Sequence, residues 1–318
     1  MYMNDIIGHK DIRELFDTLI KKDALHHAYC LVGNEYVGKR TLAEILAASL
    51  LHIKTETIHT HPDVYIVKQE KNKKTGKTKK NIDIEQIRTM RHVTSQYAAM
   101  KGYTVVIIDG AEKMSIGASN ALLKTLEEPT GKTIFFLLTH DESRLLATIR
   151  SRCHMIYLHP VLDKEIEGAL EERGYKEALS HDIARLSRGC PGRAIQWAKD
   201  PDEFDAYKQE VRRFLSLINT PLYKKIALTD DLFGDKTDHI QTRETLIRVL
   251  DIWLLIIRDM AMISQGGKPS MQIHKLPESI ALPKKQLLTI EKRIYKTKEQ
   301  LRRNIHPRLS VEHILLAF

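Results

Sequence analysis

A chain of 318 residues is long enough for two or three domains with buried cores, and its apolar (42%) and charged (29%) content is that of an ordinary globular protein. Fifty Lys plus Arg against 41 Asp plus Glu leave a net charge of +9, which permits a polyanionic partner without requiring one. Cys30, Cys153 and Cys190 show no C-x-x-C pairing, which argues against a disulfide framework or a zinc ribbon and fits a reducing cytoplasm.

The opening MYMNDIIGHKDIRELF lacks the basic-then-apolar pattern of a secretory leader. The run AYCLV (28–32) reads as a buried strand, and the segment GNEYVGKRT (33–41) directly after it is almost a phosphate-binding loop. Gly33 and Gly38 let the backbone curl so that successive N–H groups face an anion, and Lys39 reaches terminal phosphates. The pattern then requires a Ser or Thr hydroxyl for magnesium, but Arg40 stands there. Thr41 is one residue late, and on a helix that step turns the side chain by roughly 100°. A guanidinium near the metal position also repels a divalent cation. Leu42, Ile45, Leu46 and Leu50 come next at helical spacing, so strand, glycine loop and helix are in the order this motif needs.

Four more apolar runs read as strands: DVYIV (63–67), TVVIID (104–109), TIFFLLT (133–139) and MIYL (155–158). Apolar runs separated by helical patterns are what a parallel sheet covered on both faces requires, so residues 1–160 are expected to form an α/β nucleotide-binding domain. Between the second and third runs, residues 68–80 carry seven lysines around Gly76, and this stretch is expected to be a solvated, dispensable loop. A helix opens at Ile84, Ile87 and Arg88 and heads towards Ala99.

No strand is expected beyond about residue 161. Residues 161–203 read as a small domain of three short helices broken at GCPG. Residues 204–318 read as an all-helical domain with long helices near 204–219, 240–264 and 284–303. A last helix is expected from Val311, Ile314, Leu315 and Phe318, with Ser310 as its cap and Pro307 just before it. The most apolar helical stretch, VLDIWLLIIRDMAMI, is broken by Asp251, Arg258 and Asp259, so no membrane span or membrane partner is expected.

VVIIDGAEKM reads as a second nucleotide motif, with Asp109 at the strand end as the magnesium-orienting acid. Gly110 stands where a carboxylate would polarise the attacking water. Glu112 lies three positions beyond Asp109, would have to act from another direction, and is given no catalytic role. Lys39 and the glycines keep the anion-binding parts, so these motifs leave ATP or ADP binding open while arguing against hydrolysis.

The stretch GASNALLKTLEEPTGKTIFFLLTHDESRLLATIRSRC closely resembles bacterial DNA polymerase III clamp-loader subunits of the AAA+ family. The specific parts are NALLKTLEEP at 120–129 and TIRSRC at 148–153. DIIGHKDIRELF, HPDV (61–64), IDIEQIR (82–88), GCPGRA (189–194) and the ending NIHPRLSVEHILLAF resemble that family too, most strongly over residues 5–195.

The resemblance implies an AAA+ P-loop parallel-sheet domain, a helical lid and a helical collar through which five subunits form a ring. It implies as partners gamma/tau-type motor subunits, a delta subunit, the sliding clamp and primed DNA, in the cytoplasm. Carried over by motif, Arg152 is an arginine finger reaching the ATP of an adjacent motor subunit, Thr139 is at the sensor-1 position and Arg193 at the sensor-2 position. Ser151 and Cys153 are expected to orient the finger, Cys153 by packing. Arg40 and Gly110 fit a non-motor member better than a motor.

The four-cysteine zinc module of many relatives is missing, and His52, His59 and His61 without cysteines are not expected to hold zinc or any other metal. Two other readings stay open at this point: an active AAA+ ATPase (a motor-type subunit or helicase loader), and a basic DNA-binding module resting on net charge and the lysine-rich stretch.

Overall fold

The five apolar runs form one parallel sheet in the order β2-β3-β4-β1-β5. The strands are β1 (Ala28–Val32), β2 (Val64–Val67), β3 (Tyr103–Asp109), β4 (Lys132–Thr139) and β5 (His154–Tyr157). The structure is a computed structural model that describes residues 6–71, 79, 81–97, 102–129, 131–218, 220–233, 239–266, 282–302 and 306–318. Most of the lysine-rich stretch, residues 72–78 and 80, lies outside the described residues. The chain divides into two compact units, Met1–Ile195 and Gln196–Phe318.

In the first unit, helix α1 (Lys10–Lys21) precedes β1, and helices α2 (Lys39–Leu51), α3 (Ile84–Tyr97), α4 (Ile116–Glu127) and α5 (Ala147–Arg150) separate the strands. Strand residues alternate between two cores, as the pleat requires. Tyr29, Leu31, Phe136 and Leu138 join Phe16, Leu42 and Leu46 on one face. Cys30, Val106, Phe135 and Leu137 join Leu122 and Leu126 on the other. Both faces are therefore covered, which explains why β1 and β4 read as continuous apolar runs rather than alternating ones. The registers Val32↔Thr139 and Asp109↔Leu138 bring the carboxyl ends of β1, β3 and β4 level.

Three helices complete the chain through residue 199: α6 (Asp163–Glu171), α7 (Glu177–Leu186) and α8 (Pro191–Lys199). α8 begins at the proline of GCPG, where a missing N–H costs nothing because first-turn donors have no helical acceptor.

The second unit is helical throughout its described residues: α9 (Pro201–Leu217), α10 (Leu222–Thr229), α11 (His239–Ile263), α12 (Lys284–Arg302) and α13 (Pro307–Leu315). Its centre is the fully buried Trp253, with Phe214 and Phe318 edge-on to its ring. The buried Glu210 accepts from Trp253 Nε1 at 2.7 Å and pairs with Arg213. The expected Ser310 cap is corrected: α13 starts at Pro307 with His306 before it, and Ser310 sits inside the helix, its hydroxyl donating back to His306 O at 3.0 Å. Phe318 likewise falls beyond the helix end. No helix of the described residues is long and apolar enough to cross a membrane.

Candidate functional site

β1 runs between β4 and β5, so the chain leaves its carboxyl end in the crevice where the strand order reverses, the usual ligand position in such sheets. Gly33 N–H donates to Thr139 O at 3.2 Å, continuing the ladder one residue past the strand. A Cβ on Gly33 would come within 2.6 Å of Leu158 O, so this glycine allows the loop to pass a neighbouring backbone. Gly38 has φ of 109° and provides the curl that aims the first turn of α2 at the crevice. The crevice is a cavity of about 390 Å³ lined by Lys39, Arg40, Thr41, Asp109, Glu112 and Thr139 among others. The structure thus gathers Gly38, Lys39, Arg40, Thr41, Asp109 and Thr139 in one place.

Lys39 Nζ donates to Gly33 O (2.6 Å) and Asn34 O (2.7 Å), and burial holds its pKa below the ordinary lysine value against the attraction of Glu112, Glu35 and Asp109. Arg40 reaches across the cavity instead of away from it. Its Nε donates to Glu44 Oε1 at 2.8 Å and its Nη1 lies 3.4 Å from Asp109 Oδ2. Burial opposes the Arg40 charge, but Glu44 and Asp109 outweigh it and raise its pKa.

A P-loop ATPase implies magnesium between the loop hydroxyl and the second-motif acid, and the residues here do not fit it. The hydroxyl is absent, Thr41 is exposed on the next position around the helix, and the carboxylate that would orient the ion already faces a guanidinium. Sequence spacing contained part of this signal, since Arg40 and Glu44 are an i,i+4 pair.

Glu112 lies on the same cavity although the spacing gave it no role. It enters from the short 3₁₀ turn Ala111–Lys113 and is buried, with Oε1 2.8 Å from His140 Nδ1. Burial would raise its pKa, but hydrogen bonds from His140, its own backbone N–H and Thr139 prevail and bring it down to about 2. Thr139 Oγ1 also accepts from Asp141 N–H at 3.1 Å. The Glu112 carboxylate is thus committed to a wall of the cavity. The Arg193 guanidinium lies over the Tyr36 ring, 5.3 Å from its centroid, and Gly192 N–H donates to Tyr36 O at 2.8 Å. α8 therefore meets the phosphate-type loop at Tyr36, a contact that motif reading missed.

Arg152 occupies a different place. It follows α5, just before β5, in a cavity of about 440 Å³ lined by His26, His27, Glu127, Ser151 and His154 among others. His26 and His27 precede β1 and His154 opens β5, so this cavity is at the amino ends of the strands, whereas the loop is at their carboxyl ends. A five-residue strand spans about 16 Å, so Arg152 lies at the opposite edge of the sheet from its own loop cavity. Arg152 Nη2 pairs with Glu127 Oε1 at 2.7 Å, and Nη1 donates to Thr148 O at 3.0 Å. Ser151 Oγ lies 3.5 Å from Nη1, at the limit of a hydrogen bond. Cys153 is buried in the core, and burial pushes its thiol up to about 12, so it packs and does not react as a thiolate.

Residues 8–162, which hold the loop cavity and Arg152, match the family model described as DNA polymerase III, delta subunit. The chain is 27% identical to the DNA polymerase III subunit delta-prime of Bacillus subtilis over 327 aligned positions, covering 96% of this chain and 94% of that protein. Over nearly its whole length the chain is therefore similar to a DNA polymerase III delta-prime subunit. The delta-prime subunit of Pseudomonas aeruginosa is 39% identical over 141 residues, a match that spans 40% of this chain and only 41% of that relative. The crystal structure of a DNA polymerase III gamma-subunit-related protein from Thermotoga maritima shares the fold, with a TM-score of 0.52 at 19% identity over 95% of this chain and 97% of that one. That likeness shows the fold alone: a parallel sheet with a P-loop-type loop, followed by helices.

Proposed function

We propose that this chain is a non-hydrolysing subunit of a bacterial clamp loader. In this reading it assembles in the cytoplasm with gamma/tau-type motor subunits and a delta subunit into the ring that places the sliding clamp on primed DNA. Residues 1–160 form its AAA+ domain, 161–203 its lid and 204–318 its collar. Arg152 is the finger that completes the ATP site of an adjacent motor subunit, and Thr139 and Arg193 are remnants of sensors.

One observation carries the reading: the P-loop-type cavity and the cavity that holds Arg152 lie at opposite edges of one sheet. At the carboxyl edge, Arg40 stands in the metal position and faces Asp109. At the amino edge, a part-exposed arginine lies in a separate cavity. A guanidinium is permanently charged and presents a planar fork, which suits it to charge developing on a neighbour's phosphoryl group. The chain can therefore accelerate hydrolysis next door without performing it.

ATP turnover by the isolated chain is the test. None above background is expected with magnesium present, whereas an active ATPase would give magnesium-dependent turnover that disappears in Lys39→Ala.

A further inference from the structure

Glu127 is the last residue of α4, where the helix dipole presents its negative end. A carboxylate is electrostatically misplaced there unless a cation meets it, and the cation that meets it is Arg152, at 2.7 Å. The remaining Nη1 contacts of Arg152, to Thr148 O and Ser151 Oγ, also lie inside its own subunit. Glu127 therefore occupies an edge of the fork that a phosphate would use, and it neutralises the charge a phosphate would feel.

We propose that Glu127 is a positioning residue that restrains Arg152 within its own subunit, so that engaging a neighbour's phosphates requires exchanging the Glu127 carboxylate for a phosphate oxygen. This rests on the finger reading of Arg152. The pair is exposed enough, with side-chain exposures of 35% for Arg152 and 48% for Glu127, to be exchanged readily. A restraint of this size sets a threshold and does not block the exchange.

The experiment is a double-mutant cycle in rings assembled with the motor and delta subunits, using wild-type chain, Glu127→Gln, Arg152→Ala and the double variant at matched assembly. Turnover is measured without clamp or DNA. Glu127→Gln is expected to raise it about two- to fivefold, the factor an exposed ion pair can impose, and the rise is expected to shrink as salt is increased. The rise should vanish when Arg152 is also replaced. Unchanged or lower turnover in Glu127→Gln would overturn the restraint, as would a rise that persists in the double variant. Full turnover in Arg152→Ala alone would instead remove the finger reading and the restraint with it.

Discussion

Replacing Arg40 by Thr separates the two defects of the loop cavity. The substitution removes the 2.8 Å bond to Glu44 and the 3.4 Å pairing with Asp109 and leaves two carboxylates facing each other across the gap. Because Arg40 is 41% and Asp109 35% exposed, solvent screens the pairs, and the loss is about 1 kcal/mol. For a unit of this size that lowers Tm by about 2–4 °C. The variant also regains a hydroxyl beside a freed Asp109, so magnesium and ATP together are expected to stabilise it. At ligand a hundredfold above Kd the gain is about 2.7 kcal/mol, more than the substitution costs. Hydrolysis is still expected to be absent, because Gly110 has no carboxylate to polarise water. Thermal melting with and without magnesium and ATP, alongside phosphate release, reads all three effects. A variant that melts at or above wild type, with magnesium-ATP shifting both proteins equally, would refute this reasoning.

Glu112 has its pKa depressed to about 2 in the folded state, so it contributes stability that is fully present above the ordinary carboxylate value of about 4.5 and is lost as pH falls from there towards 2. Acid melts should show a loss on the order of 2–3 kcal/mol from this group, and Glu112→Gln should flatten that part of the pH dependence; an identical profile would remove the carboxylate from the account. Trp253→Phe in the helical unit deletes the donor to buried Glu210 and should cost about 1.5–3 kcal/mol in urea unfolding, with a loss below about 0.5 kcal/mol counting against the network. Gly33→Ala should destabilise the first unit by about 1–3 kcal/mol, since a Cβ would stand 2.6 Å from Leu158 O; wild-type stability would show that the loop shifts without strain.

Periodicity carried most of the fold. AYCLV and the IFFLL within TIFFLLT are apolar at every position because both sheet faces are buried, and the strands end within a residue of the expected limits. The cap of the last helix departs from expectation because Ser310 is a frequent cap type, whereas Pro307 three residues earlier was free to start the helix. α10 escaped because its eight residues present too short a period. In the site, spacing identified Lys39, Arg40 and Asp109, each close to a motif position. It could not reveal that Arg40 turns towards Asp109, 69 residues away, or that Glu112 shares their cavity, because both depend on how the sheet is registered. Glu127 was hidden for the same reason: it lies within a recognised motif, but its partner is on another element.

That a chain without a working site of its own supplies Arg152 to a neighbour is the central claim. It is tested most directly by the turnover of motor subunits, with clamp and primed DNA present, in rings containing wild-type or Arg152→Ala chains at matched assembly. Intact rings are expected, with a fall of at least tenfold at the affected site, equivalent to about 1.4 kcal/mol of transition-state stabilisation, and Arg152→Lys should rescue poorly because a flexible point charge does not reproduce the planar fork. Equal turnover in wild-type and Arg152→Ala rings would contradict the claim and leave the chain a purely architectural member of the ring.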